Sequence, residues 1–145
     1  MTGRDFLAVA RQCAAMTSEP WWRTAVGRAY YAAFHEAREL LTDLGFTVPP
    51  DERAHKYLIY RLSNCGTPAI EQAGRSLDAL RDLRNLADYD LRRSLVQSMA
   101  LMRARLAEQV IVAFDSASQQ PTHTQITDAM KLYERDVLQD VTWKP

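Results

Sequence analysis

Apolar side chains recur at intervals of three and four along almost the whole chain, and no run alternates with a period of two. The pattern predicts helices and no strands. A first helix is expected from about Arg4 to Met16, with Phe6, Leu7, Val9, Ala10, Cys13 and Ala14 inward and Thr2 and Asp5 at capping-box spacing. Ser18 is the expected cap of a second helix, from Pro20 to Leu44, whose stripe includes Trp22, Val26, Tyr30, Phe34, Leu40 and Leu44. Gly45 closes it, and the paired prolines Pro49 and Pro50 exclude helix from the connector. A short helix follows over Asp51 to Asn64, with His55, Leu58, Ile59 and Leu62 inward, and Cys65-Gly66-Thr67-Pro68 reads as a stop and a new start. The fourth helix runs from Pro68 to about Leu86, with an end or bend at Ala87 to Asp90. The fifth covers Arg93 to Ser116 through Leu95, Met99, Met102, Leu106, Val110 and Phe114. A polar last helix, Thr124 to Asp140, has a narrow seam of Ile126, Met130, Tyr133, Val137 and Val141. The expected fold is all-α: one domain over 1–145, a four-helix core within roughly 5–116, and a C-terminal helical extension over 122–145.

Composition narrows the classes without choosing a function. With 145 residues, 47% hydrophobic and 25% charged, the chain has the balance of a globular domain. Its 18 basic and 18 acidic side chains cancel, which excludes a polybasic protein that holds nucleic acid by charge alone. The zero is uneven, however. Residues 75–105 carry seven positive charges, all arginine, against four negative; residues 106–145 carry three against six. Fifteen of the 18 basic residues are arginine, the side chain suited to phosphate and carboxylate, although a coding bias toward arginine produces the same count. Cys13 and Cys65 lack metal-ligand or redox-motif spacing, no secretory leader or membrane span is recognisable, and a cytoplasmic setting is expected. No metal or cofactor is implied.

Two clusters carry candidate chemistry. Arg28, Tyr31, His35 and Arg38 share one face of the second helix, an arrangement that suits an anion and a proton acceptor. The same spacing also describes a solvated stripe whose arginines pair with Glu36 and Glu39. On the fourth helix Arg75, Arg81 and Arg84 lead into Asn85, Asp88, Tyr89 and Asp90. Arg84 and Asp88 stand four apart, the spacing of an in-helix ion pair, and the break beyond them is expected to expose unpaired carbonyls beside side chains.

The wording of these two segments resembles the HEPN family. Arg28-Ala-Tyr-Tyr-Ala-Ala-Phe-His35-Glu-Ala-Arg-Glu-Leu-Leu41 is similar to its first core helix, and Leu80-Arg-Asp-Leu-Arg84-Asn-Leu-Ala-Asp88-Tyr89-Asp90 to its R-N-x-A-D-Y variant. His55 matches a position where that subgroup often carries histidine. The resemblance spans roughly residues 5–115. It implies an up-and-down four-helix bundle, a homodimer, and a place in prokaryotic toxin–antitoxin, defence or nucleotide-related systems. Many members are metal-independent ribonucleases with an R-x4–6-H motif, whose arginine stabilises phosphorane charge and whose histidine handles protons. Here that histidine is missing: the corresponding offsets from Arg84 reach Tyr89, Asp90 and Leu91, and from Arg81 they reach Leu86, Ala87 and Asp88.

Carried over residue by residue, the resemblance makes Arg84, Tyr89, Asp88 and His35 the catalytic candidates. Arg81, Asn85, Arg28, Tyr31 and His55 become RNA- or nucleotide-binding candidates. Tyr89 also resembles the tyrosine that partner nucleotidyltransferases modify in some HEPN pairs; otherwise it is a ring packed at the break. Three functions remain open: an RNA-cleaving toxin or defence effector, a non-catalytic module that binds RNA or nucleotide or supports a nucleotidyltransferase, and a helical adaptor whose acidic last helix meets a partner.

Overall fold

A computed structural model describes residues 1–145, and it is all-helical. The helices are α1 (Gly3–Ala14), α2 (Glu19–Asp43), α3 (Ala54–Leu62), α4 (Pro68–Tyr89), α5 (Gln97–Ala117) and α6 (Thr122–Tyr133), the last continued by a π-helical turn, Glu134–Leu138. No helix is long and apolar enough to cross a membrane. The chain forms two compact units, Met1–Glu36 with Ser76–Val110, and Ala37–Arg75 with Ile111–Pro145.

In the first unit Cys13, Ala14, Ala25, Val26, Leu83, Ala87, Leu95 and Ala100 form a buried cluster, with Trp22, Leu86 and Met99 packed against it. The capping box at Thr2 and Asp5 is present and starts α1 one residue before the expected point. The start of α1 lies so close to α2 that a β-carbon on Gly3 would sit 2.3 Å from the Ala32 carbonyl oxygen and 2.7 Å from Glu36. Glycine alone permits that approach, and Arg4 reinforces it with a 3.4 Å ion pair to Glu36. Gly3→Ala should therefore cost about 1–3 kcal/mol in a denaturant titration, despite alanine's better helix propensity. An unchanged midpoint would show that α1 can slide without penalty.

The α4–α5 connection departs from the expected boundaries. α4 continues to Tyr89 rather than ending near Leu86, and α5 begins at Gln97, four residues after Arg93. The cause is Arg23. Its guanidinium donates to the carbonyls of Leu86 (3.4 Å), Ala87 (2.9 Å), Asp90 (3.1 Å) and Arg93, while Glu19, paired with Arg23 at 2.9 Å, accepts the Leu95 N–H at 3.1 Å. Backbone groups held by these side chains are not available to extend a helix. The terminal carbonyls of α4 at Leu86 and Ala87 are thus capped, not exposed as the sequence suggested. Along α5 the buried face is Ala100, Ala104, Ala107, Val110, Ile111 and Phe114, whereas Met102, expected inward, is 59% exposed. Alanines at these positions carry too little side chain for periodicity to weigh.

In the second unit Leu40, Leu41, Leu44, Leu58, Leu62, Ile70, Ile126 and Met130 are buried. The last helix differs from expectation. α6 ends at Tyr133, Val137 and Val141 are exposed, and the position four beyond Met130 is taken by Glu134, which is wholly buried. Glu134 Oε2 accepts from Arg61 Nε at 2.8 Å and from the Thr142 hydroxyl; Oε1 accepts the N–H groups of Thr142 (3.0 Å) and Trp143 (3.2 Å). The terminal segment consequently turns back along residues 45–47. Trp143 Nε1 donates to the Leu44 carbonyl at 2.9 Å, and Lys144 N to the Gly45 carbonyl at 2.7 Å. Gly45 has φ +103°, and its missing β-carbon leaves room for the Trp143 ring.

Candidate functional site

The first unit holds an open cleft of about 360 Å³ lined by Phe6, Arg28, Tyr31, His35, Arg84 and Asp88. Each residue reaches it for a local reason. Arg28, Tyr31 and His35 follow one another at three and four residues along α2, and Arg84 and Asp88 stand four apart on α4. Phe6 comes from α1, placed by the Gly3 contact. His35 packs its ring against Phe6, with centroids 4.9 Å apart, and against Phe34 at 5.3 Å.

The cleft is rich in cation. The Arg28 guanidinium carbon lies 5.3 Å from the Phe6 ring centroid and 5.4 Å from that of Tyr31, and Arg28 forms no ion pair. Arg84 lies 5.3 Å from the Tyr31 centroid and 5.7 Å from that of Tyr89. Two guanidiniums therefore share the Tyr31 ring, within the range of cation–π attraction. The cleft holds one carboxylate, that of Asp88, whose Oδ2 is 2.9 Å from Arg84 Nε. That is the in-helix pair expected from spacing. Asn85 Oδ1 accepts from the other side of the Arg84 guanidinium at 3.1 Å and fixes its orientation. With two arginines against one exposed aspartate, the cleft suits a singly or doubly charged anion.

The remaining candidates are placed differently. Arg81 does not line the cleft; it is half-buried with an unsatisfied Nε. Its charge acts on Tyr30 in the core, where burial pushes the hydroxyl well above the usual phenol range and Arg81 and Arg84 partly oppose the shift. Tyr89 projects beyond the cleft at the last residue of α4 and is 76% exposed, which removes the reading of a ring packed at the break. His55 is half-buried at the start of α3, in the second unit. Glu36 and Asp88 pair with Arg4 and Arg84, not with Arg28. No group of three or more His, Cys, Asp or Glu side chains is positioned to hold a metal ion.

Comparison with family models, curated proteins and solved structures found no match.

Three contributors were not visible in the sequence. Phe6 reads there as one more apolar residue in the α1 stripe. Arg23 and Glu19 read as an ordinary surface pair four apart, the only signal they offer, although together they fix the backbone beyond Tyr89.

Proposed function

We propose that the chain is a HEPN-type protein of a prokaryotic toxin–antitoxin or defence system, built on an up-and-down four-helix core and acting as a homodimer. Its cleft takes a phosphodiester of single-stranded RNA and cleaves it without metal. The supporting observation is that Arg28 and Arg84 line one cleft and both lie against the Tyr31 ring, with His35 among the same lining residues. In this reading the arginines bind the phosphate and stabilise charge developing on phosphorus. His35 accepts the proton of the 2′-hydroxyl. The O2′–phosphorus bond forms as the phosphorus–O5′ bond breaks, leaving a cyclic phosphate, and the departing oxygen takes a proton from water. His35 thus replaces the missing motif histidine from a neighbouring helix, and Asp88 competes with the phosphate for Arg84.

A second reading, modification of Tyr89 by a nucleotidyltransferase partner, is favoured by the exposure of that ring.

Purified protein in chelator should cut single-stranded RNA. His35→Gln should lower the rate about 100-fold or more. Arg84→Ala should weaken binding to every sequence and lower the salt slope by about 0.7. Salt-sensitive binding without product would establish the non-catalytic module instead. Neither binding nor cleavage would dismiss both.

A further inference from the structure

Rings and guanidiniums alternate across the first unit in one continuous series. Phe6 on α1 meets Arg28 on α2 at 5.3 Å; Arg28 meets Tyr31 at 5.4 Å; Tyr31 meets Arg84 on α4 at 5.3 Å; Arg84 meets Tyr89 at 5.7 Å. Each guanidinium therefore lies within cation–π reach of two rings. The inner rings are covered: Phe6 is also packed on His35, and Tyr31 on Tyr30 and Phe34. The last ring is not. Tyr89 has Arg84 as its ring partner and is 76% exposed.

Its backbone is nevertheless well fixed. Arg23 grips the carbonyls of Ala87 and Asp90 on either side of it, and the Asp90 N–H donates to the Leu86 carbonyl at 2.9 Å. An aromatic side chain with an anchored backbone, a cation beside it and most of its surface open has the properties of a stacking platform. The anion cleft begins at the same Arg84.

We infer that Tyr89 is the stacking platform for a nucleobase whose phosphate lies on Arg28 and Arg84, so that the site takes a nucleotide unit and not a bare phosphate. This rests on the phosphate reading above and adds the base subsite. Stacking uses the ring face, which every base can meet, so the preference among bases is small. The ring, not its hydroxyl, does the binding, which separates this role from that of a modification acceptor.

The test compares ribose 5-phosphate, AMP and a 2′-O-methyl tetranucleotide by calorimetry on the full chain. AMP should bind roughly 10- to 100-fold more tightly than ribose 5-phosphate. Tyr89→Leu should reduce AMP to the ribose 5-phosphate level and leave ribose 5-phosphate unchanged. Tyr89→Phe and Tyr89→Trp should keep the preference. Tighter binding of the tetranucleotide than of AMP would assign the platform to a strand, and the reverse order to a free nucleotide. If ribose 5-phosphate binds through Arg84 but AMP gains nothing, or if Tyr89→Leu weakens both equally, the base subsite is refuted and the phosphate site stands. If neither small probe nor the tetranucleotide binds, the phosphate reading fails together with it.

Discussion

Glu134→Ala is expected to cost about 3–5 kcal/mol, a large share of the roughly 5–15 kcal/mol that holds a small domain folded. Glu134 has no solvent exposure, and its two carboxylate oxygens together accept from Arg61, the Thr142 hydroxyl and the N–H groups of Thr142 and Trp143. Arg61 is itself buried, with its guanidinium 3.5 Å from the Tyr57 ring centroid. Removing the carboxylate leaves a buried cation and two partly buried N–H groups without their acceptor. Asp140 cannot substitute: it is 3.8 Å from Arg61 and its side chain is 69% exposed. Glu134→Gln should be milder, because one oxygen still accepts from the terminal segment while the charge is lost. Arg61→Met combined with Glu134→Leu should recover part of the loss, since no buried charge then stands alone. Denaturant titration followed by tryptophan emission reads both stability and the seating of Trp143. A loss below about 1 kcal/mol for Glu134→Ala would mean that water reaches Arg61.

Arg23→Ala is expected to cost about 2–4 kcal/mol, because one side chain satisfies carbonyls at Leu86, Ala87, Asp90 and Arg93. Lysine should rescue little: a point charge cannot span the width that the planar fork covers. Hydrogen exchange should locate the damage at residues 90–95, and if the proposed base subsite at Tyr89 is present, AMP binding should weaken with it. The clamp also has a pH signature. The Leu95 N–H foremost, then Arg23, hold the Glu19 carboxyl below the usual glutamate range. A depressed carboxylate contributes fully above its unfolded pKa, about 4.3, and that contribution is lost as pH falls through the lower folded value. Stability of the wild type should therefore fall on acidification below about pH 4 more steeply than that of Arg23→Ala. Parallel acid profiles would show that Glu19 keeps its partners without Arg23.

Much of the fold was legible because helix signals are local. The capping box at Thr2, the stop at Gly45 and the start at Pro68 are settled within a few residues, and the structure has them where spacing put them. The α4 stripe of Ile70, Ala73, Leu77, Leu80 and Leu83 is buried as its periodicity required. Where local signals met partners distant in sequence, they gave way. Glu134 reads as a solvated charge until Arg61, 73 residues away, is brought to 2.8 Å. The run from Arg93 to Val96 reads as helix until Arg23 and Glu19 take its backbone groups.

The candidate site divides along the same line. Sequence alone determined that Arg28, Tyr31 and His35 share a helix face, because a 3.6-residue repeat leaves no other arrangement; it offered Arg84 and Asp88 the spacing of an in-helix pair, which the continuation of α4 to Tyr89 realises. Only the tertiary structure decided that these two faces meet around the Tyr31 ring, that Phe6 joins them and that Arg81 does not. It also decided that Tyr89 stands open on a clamped helix end. Helix spacing fixes which residues are neighbours along one element. Which elements approach one another depends on close contacts such as Gly3 on Ala32, and periodicity carries no record of those.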